Sequence, residues 1–262
     1  MTEPVKIAVA GALGRMGRAV CDAIAARPDA ILAGRFDRPG AEDDYGCVPA
    51  EAALQAAQVV IDFSAPAASV ELARRCAEAG RPALVLGTTG LSDAQEAEVA
   101  AAAGRIAVVR SGNFSLGVNL IAGLVRQAAA KLDRGYDIEV FEAHHRRKVD
   151  APSGTALMLA RAAAEGRGVS LAEAEVRARD GQTGPRPDGA IGFSVMRAGG
   201  IVGEHSVVFA AEDEIITLSH SARDRALFAR GAVEAAVWAA GRPAGLYGMD
   251  DVLGLTGGAF PG

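Results

Sequence analysis

The 262-residue sequence predicts an α/β fold in which a parallel sheet is interrupted by an inserted α+β region with a mixed sheet. Three observations carry this. A short apolar run at residues 5–10 enters a glycine turn and then a helical pattern. Further apolar runs alternate with helical segments as far as residue 110. Beyond residue 191 the pattern changes to strict alternation of apolar and polar residues, as strands with one covered face show.

Residues 5–10 (VKIAVA) lead directly into Gly11, Ala12, Leu13, Gly14, Arg15, Met16 and Gly17, and a helical pattern covers residues 19–26. The GxxGxxG spacing is a variant of the GxGxxG fingerprint, whose glycines serve a tight turn, close backbone approach to a pyrophosphate, and close helix packing. The fingerprint needs a second strand ending in an acid about 20 residues on. Residues 30–37 supply it, ending in Asp37. A Rossmann-type dinucleotide-binding domain follows, with residues 11–16 at the pyrophosphate. Asp37 would accept hydrogen bonds from the adenosine ribose of NADH, whereas Arg38 would pair with the 2′-phosphate of NADPH or stand as a plain surface cation. The pair suggests use of either cofactor.

Residues 59–63 and 83–86 are strand-like and end in Phe63–Ser64 and in Gly87, Thr88, Thr89 and Gly90, with helical segments at 67–79 and 93–103. Ligands of parallel sheets sit at the carboxyl ends of the strands, so Phe63, Ser64, Gly87, Thr88 and Thr89 should line the cofactor crevice. Strand 106–110 brings Ser111, Gly112, Asn113 and Phe114 to the same edge. The dinucleotide domain is thus assigned to residues 1–114 with 225–262.

The remaining residues, 115–224, form the expected second domain. A helix at 117–132 precedes a strand at 136–141, and strands at 191–197, 204–210 and 214–221 read as an antiparallel meander. Residues 181–187 are rich in turn formers. An Ala-rich helix at 226–240 and the tail 246–255 return to the first domain.

Between strand and helix lies Glu-Ala-His-His-Arg-Arg-Lys-Val-Asp-Ala-Pro-Ser-Gly-Thr, residues 142–155, with five consecutive basic side chains. His144 and Lys148 are four apart and share a face whether the backbone is helical or extended, a spacing that permits acid catalysis beside fixed positive charge. Ser153 is a good N-cap for the apolar run 156–164, leaving the Gly154 and Thr155 N–H groups to bind a carboxylate. A basic run is more commonly a solvated face or a nucleic-acid patch. Here the net charge is −5 and the pI about 5.5, so one concentrated cluster suits a small anion better than a polyanion.

Composition is that of an ordinary globular chain, 50% hydrophobic and 23% charged, and 5% aromatic content offers few stacking platforms for bases. Cys21, Cys47 and Cys76 lack metal or disulfide spacing and are expected as buried thiols. No metal site is expected, and His205 and His220 are read as structural. The N-terminus lacks a signal-peptide pattern and no stretch reaches the ~18 apolar residues of a membrane span, which leaves a cytoplasmic address as the expectation.

The motifs at 11–17, 87–90, 113–119, 142–155, 197–205 and 245–255 together resemble the bacterial 4-hydroxy-tetrahydrodipicolinate reductase family, over nearly the whole length. The resemblance implies NADH- or NADPH-dependent reduction of a cyclic unsaturated dicarboxylate with loss of water, in the diaminopimelate and lysine pathway. It implies His144 as acid catalyst, Lys148 as proton donor or charge stabiliser, and His145, Lys148, Ser153, Gly154 and Thr155 as substrate contacts. It also implies a homotetramer built through the sheet of the second domain, with no nucleic-acid or membrane partner. Two positions depart from the family pattern: Leu13 where many relatives carry Gly, and Arg146–Arg147 where some carry a third His. A non-catalytic dinucleotide sensor would have no need of His144 and Lys148, and a thioester-forming aldehyde enzyme would need a cysteine in the second half.

Overall fold

The computed structural model describes residues 3–41 and 44–255. The chain divides into two compact units, Met1–Leu116 with Ala226–Gly262, and Gly117–Arg225.

The first unit opens with β1 (Val5–Ala10), α1 (Arg15–Ala25), β2 (Ala30–Phe36), α2 (Ala50–Ala56), β3 (Val59–Asp62), α3 (Pro66–Ala79), β4 (Ala83–Leu86), α4 (Asp93–Ala102) and β5 (Ala107–Arg110). The short α2 escapes the sequence pattern because its single apolar turn, Ala53 and Leu54, gives no repeat. Helix ends follow local chemistry. Pro66 starts α3, where its missing N–H costs nothing, and Gly80 ends it at φ 69°. At the start of α4, Ser92 and Gln95 form a reciprocal capping box. The strands run parallel, and β3 is buried at every residue, as sheets covered by helices on both faces require.

The second unit contains most of α5 (Leu116–Lys131), then β6 (Asp137–His144), α6 (Gly154–Arg167), α7 (Leu171–Ala174), β7 (Glu175–Val176), β8 (Ile191–Arg197), β9 (Gly203–Ala210) and β10 (Ile215–Ala222). Its sheet has the order β10-β9-β6-β8-β7. This corrects the expected meander. β9 and β10 pair antiparallel, but β8 does not pair with β9, because β6 lies between them, parallel to β8 and antiparallel to β9. Strand alternation reports which face is covered and not which strand is the neighbour, so the short β8–β9 connection looked like a hairpin. That connection instead passes over the carboxyl end of β6, where Ala198 N–H donates to His144 O at 2.9 Å and Arg146 N–H to Gly199 O at 3.2 Å. Helices α5 and α6 cover one sheet face through Val125, Leu159, Phe193, Val207 and Phe209. The other face leaves Met196 and Ile215 exposed.

The chain returns to the first unit with α8 (Ala226–Ala239), β11 (Gly245–Tyr247) and α9 (Met249–Val252). β11 adds to β5 in parallel, giving the order β11-β5-β4-β3-β1-β2. The approach of α8 to the loop after β5 is close enough to demand glycine: a Cβ on Gly231 would lie 1.7 Å from Phe114 O. All three cysteines are buried and unbridged. No helix among the described residues is long and apolar enough to cross a membrane.

Candidate active site

In the first unit, Ala10, Phe36, Asp62, Leu86 and Arg110 are register partners across five adjacent strands. Five strands therefore end in one row, and the residues that follow them are Gly11, Asp37, Phe63, Gly87 and Ser111. A cavity of about 690 Å³ opens beside this row, lined among others by Gly11, Leu13, Asp37, Arg38, Phe63 and Arg75. That lies within the usual size range of a cofactor or ligand pocket, roughly 300–1,000 Å³.

The glycine turn has the tightness its spacing predicts. Gly11 has φ 69°, and a Cβ there would touch Phe63 O at 3.0 Å; a Cβ on Gly17 would reach Gly11 O at 2.2 Å, so α1 packs directly on the turn. Leu13 N–H donates to Asp37 Oδ2 at 2.9 Å, and Arg38 N–H to Asp37 Oδ1 at 2.9 Å. The carboxylate thus clasps the turn as well as standing at the end of β2, and Arg38 is exposed beside it. Gly87 lies under the Phe63 ring, which a Cβ would meet at 2.1 Å, and Phe63 meets Phe114 edge-on at 5.8 Å. Arg110 bonds Glu96, Leu86 O and Ser111 O, while Ser111 Oγ accepts from Asn113 N–H, which fixes the loop after β5. The Thr88 hydroxyl is buried at the same edge, on the side of the Asp62 carboxylate. Glycine clearances and an acid just after β2 fit a dinucleotide. Buried Asp62 was not singled out from sequence. It accepts from Ser64 N–H and Ser69 Oγ; burial pushes its carboxyl upward and those donors oppose the shift.

The second unit gathers the basic motif. His144 is the last residue of β6, Arg146 and Arg147 form a turn, and Lys148 N–H bonds His145 O at 3.1 Å. His144 and Lys148 are therefore not residues of one helix or strand; the turn places each separately, which corrects the shared-face reading. Lys148 Nζ pairs with Asp150 Oδ1 at 2.8 Å. His145 Nε2 lies 3.4 Å from Arg225 Nη2, and burial together with the cations Arg147 and Arg225 holds its imidazole below the usual range. Ser153 caps α6 by accepting from Ala156 N–H at 3.2 Å, so Gly154 and Thr155 stand at the helix start.

Three residues here were missed by sequence reasoning or read as merely structural. Ile138, Val140, Glu142 and His144 alternate on one face of β6, so Glu142 occupies a core position and is fully buried. A carboxylate where period 2 demands an apolar residue was the available signal. Its oxygens accept from Arg197 Nη1 at 2.7 Å, Arg197 Nη2 at 2.8 Å and Ser153 N–H at 3.0 Å, and meet His144 Nδ1 at 2.6 Å. Burial raises the Glu142 carboxyl, but Arg197, His144 and the Ser153 N–H outweigh it and leave it below its ordinary value. His205, the register partner of Glu142 on β9, has Nε2 3.2 Å from Ser153 Oγ and its ring 5.1 Å from that of His144. Burial and the neighbouring His144 push it down to about 4. It is thus a neutral, buried part of the cluster. Among the described residues no cluster suited to a metal ion occurs.

The family models described as dihydrodipicolinate reductase, N-terminus and C-terminus, match residues 5–114 and 117–253. The chain is 64% identical to a 4-hydroxy-tetrahydrodipicolinate reductase of Caulobacter vibrioides, over 97% of this chain and 99% of the relative. It is 51% identical to one of Ruegeria sp., over 97% and 100%. Among solved structures, a dipicolinate-bound dihydrodipicolinate reductase from Paenisporosarcina sp. TG-14 shares the fold with a TM-score of 0.77 at 24% identity, covering 95% of this chain and 99% of that one. GenD2 from gentamicin A biosynthesis, in complex with NAD, has a TM-score of 0.57 at 18% identity, covering 97% and 92%.

Proposed function

The chain belongs to the dihydrodipicolinate reductase family, and on that premise we propose how its residues divide the work of reducing 4-hydroxy-tetrahydrodipicolinate to tetrahydrodipicolinate with NADH or NADPH and loss of water. When bound, the reduced nicotinamide supplies the hydride. Gly11 to Met16, Asp37, Arg38, Phe63, Gly87 to Thr89 and Ser111 to Phe114 hold the cofactor at the row of strand ends. Gly154 and Thr155 bind one carboxylate of the substrate at the start of α6, where the helix dipole favours an anion, and His145 and Lys148 contact the substrate beside them. Ser153, expected from sequence as a contact, instead gives its N–H to Glu142 and its hydroxyl to the cap and His205, and so supports that site from behind. Loss of the ring hydroxyl as water leaves a conjugated imine; as hydride adds to its carbon, negative charge builds on that system, and His144 with Lys148 supplies the proton and the positive charge that stabilise it.

The observation that carries this assignment is the His144–Glu142–Arg197–Ser153 cluster: one buried carboxylate joins the candidate acid to the start of the helix that would take the carboxylate. A homotetramer in the cytoplasm completes the reading. Its support is the family resemblance and the uncovered sheet face with Met196 and Ile215 exposed.

The test follows loss of nicotinamide absorbance with freshly generated hydroxy-tetrahydrodipicolinate. His144→Ala and Lys148→Ala are each expected to cut turnover by about 100-fold or more with cofactor affinity nearly unchanged. Full activity in both variants would remove the two residues from the mechanism. The NADPH-to-NADH ratio, compared between the native chain and Arg38→Ala, reads what Arg38 contributes.

A further inference from the structure

We infer that Glu142 is a positioning residue for the reaction: it fixes the His144 ring in one tautomer, with Nδ1 protonated, and aims Nε2 outward for proton transfer. The inference rests on the assignment of His144 as the acid. Glu142 and His144 are two residues apart on β6, so both project from the same sheet face, and Oε2 meets Nδ1 at 2.6 Å. An ionised carboxylate only accepts, so this contact requires a proton on Nδ1. Glu142 stays ionised because its remaining lone pairs are taken by both Arg197 terminal nitrogens and by the Ser153 N–H.

The outward nitrogen is free for chemistry. Among the described residues Nε2 of His144 has no hydrogen-bond partner, and the position beside it is Gly203, whose Cβ, if present, would lie 3.2 Å from Nε2. A second imidazole, His205, stands 5.1 Å away, but its Nε2 is directed to Ser153 Oγ and leaves the His144 proton untouched. The same carboxylate holds Ser153 N–H, the residue that caps α6. One buried group thereby sets two distances at once, from the acid to the substrate carbon and from the helix start to the substrate carboxylate. A purely structural ion pair would need only Arg197. The two partners beyond it, Ser153 and His144, mark the group as one that orients chemistry, much as outer partners orient a metal-bound or catalytic imidazole.

The experiment has two parts. In the native protein, nitrogen-15 NMR of the histidine rings, with His144→Ala to assign the signal, is expected to show His144 with Nδ1 protonated and Nε2 bare in its neutral form. An Nε2-protonated ring overturns the inference without Glu142 itself having to be replaced. In Glu142→Gln, scored per NADPH-binding site so that unfolded protein does not count, kcat is expected to fall roughly 10–100-fold with the NADPH Kd unchanged. Arg197→Lys, which keeps the charge and loses the paired fork, is expected to fall less. If Glu142→Gln keeps the native kcat while His144→Ala is impaired, the positioning role fails alone. If His144→Ala is fully active, the acid assignment beneath it has failed.

Discussion

Ser153→Ala isolates the joint between helix and histidine. Ser153 is 2% exposed, and its hydroxyl serves both Ala156 N–H and His205 Nε2, each at 3.2 Å. Loss of an N-cap side chain costs about 1 kcal/mol. The orphaned ring nitrogen, buried in a residue 5% exposed, adds about 1–3 kcal/mol. The sum is about 2–4 kcal/mol. Ser153→Gly separates the two parts, because Gly at an N-cap loses only a few tenths of a kcal/mol while the histidine is orphaned equally. Stability should therefore fall in the order native, Gly, Ala. With a urea slope of about 2 kcal/mol/M, a loss of about 3 kcal/mol moves the midpoint by about 1.5 M. Urea unfolding followed by far-UV circular dichroism reads it, with the slope unchanged. An Ala variant within about 0.5 kcal/mol of native, or one no worse than Gly, would refute the reasoning.

Two further outcomes follow from the geometry. His205 is lowered from 6.5 to about 4 in the folded chain, so its contribution is full above pH 6.5 and is lost as pH falls toward 4, while the unfolded chain takes up the proton first; at about 1.4 kcal/mol per unit this amounts to about 3 kcal/mol. His205→Gln should flatten the fall of urea stability across that window, and parallel pH curves for native and variant would show that the buried imidazole is not responsible. Gly87→Ala should drive the Phe63 ring from its place, since the new methyl would meet it at 2.1 Å, and raise the NADPH Kd by about tenfold. Fluorescence titration measures the change, and Gly87→Ala/Phe63→Leu should recover part of it; a single variant with native affinity would mean the ring is free to yield.

What the sequence determined by itself is the part governed by short-range rules. A Gly at φ 69°, a Ser that caps α6, an acid just after β2 and short, mostly apolar strands each depend on neighbours a few positions away. For that reason the parallel direction of β1 to β5 and the residues following each strand were legible, though not the order of those strands in the sheet. Only the tertiary structure decided which strands are neighbours in the second sheet, because β6 enters between β8 and β9 through contacts more than 40 residues apart in sequence. The same insertion decides the chemistry of Glu142. In the sequence it is one acid at the head of a basic run; in the fold it is buried, and Arg197 from β8, His205 from β9 and Ser153 at α6 close around it and His144. A buried carboxylate is tolerable only when its partners arrive together, and partners on four separate segments leave no local pattern for a sequence to display.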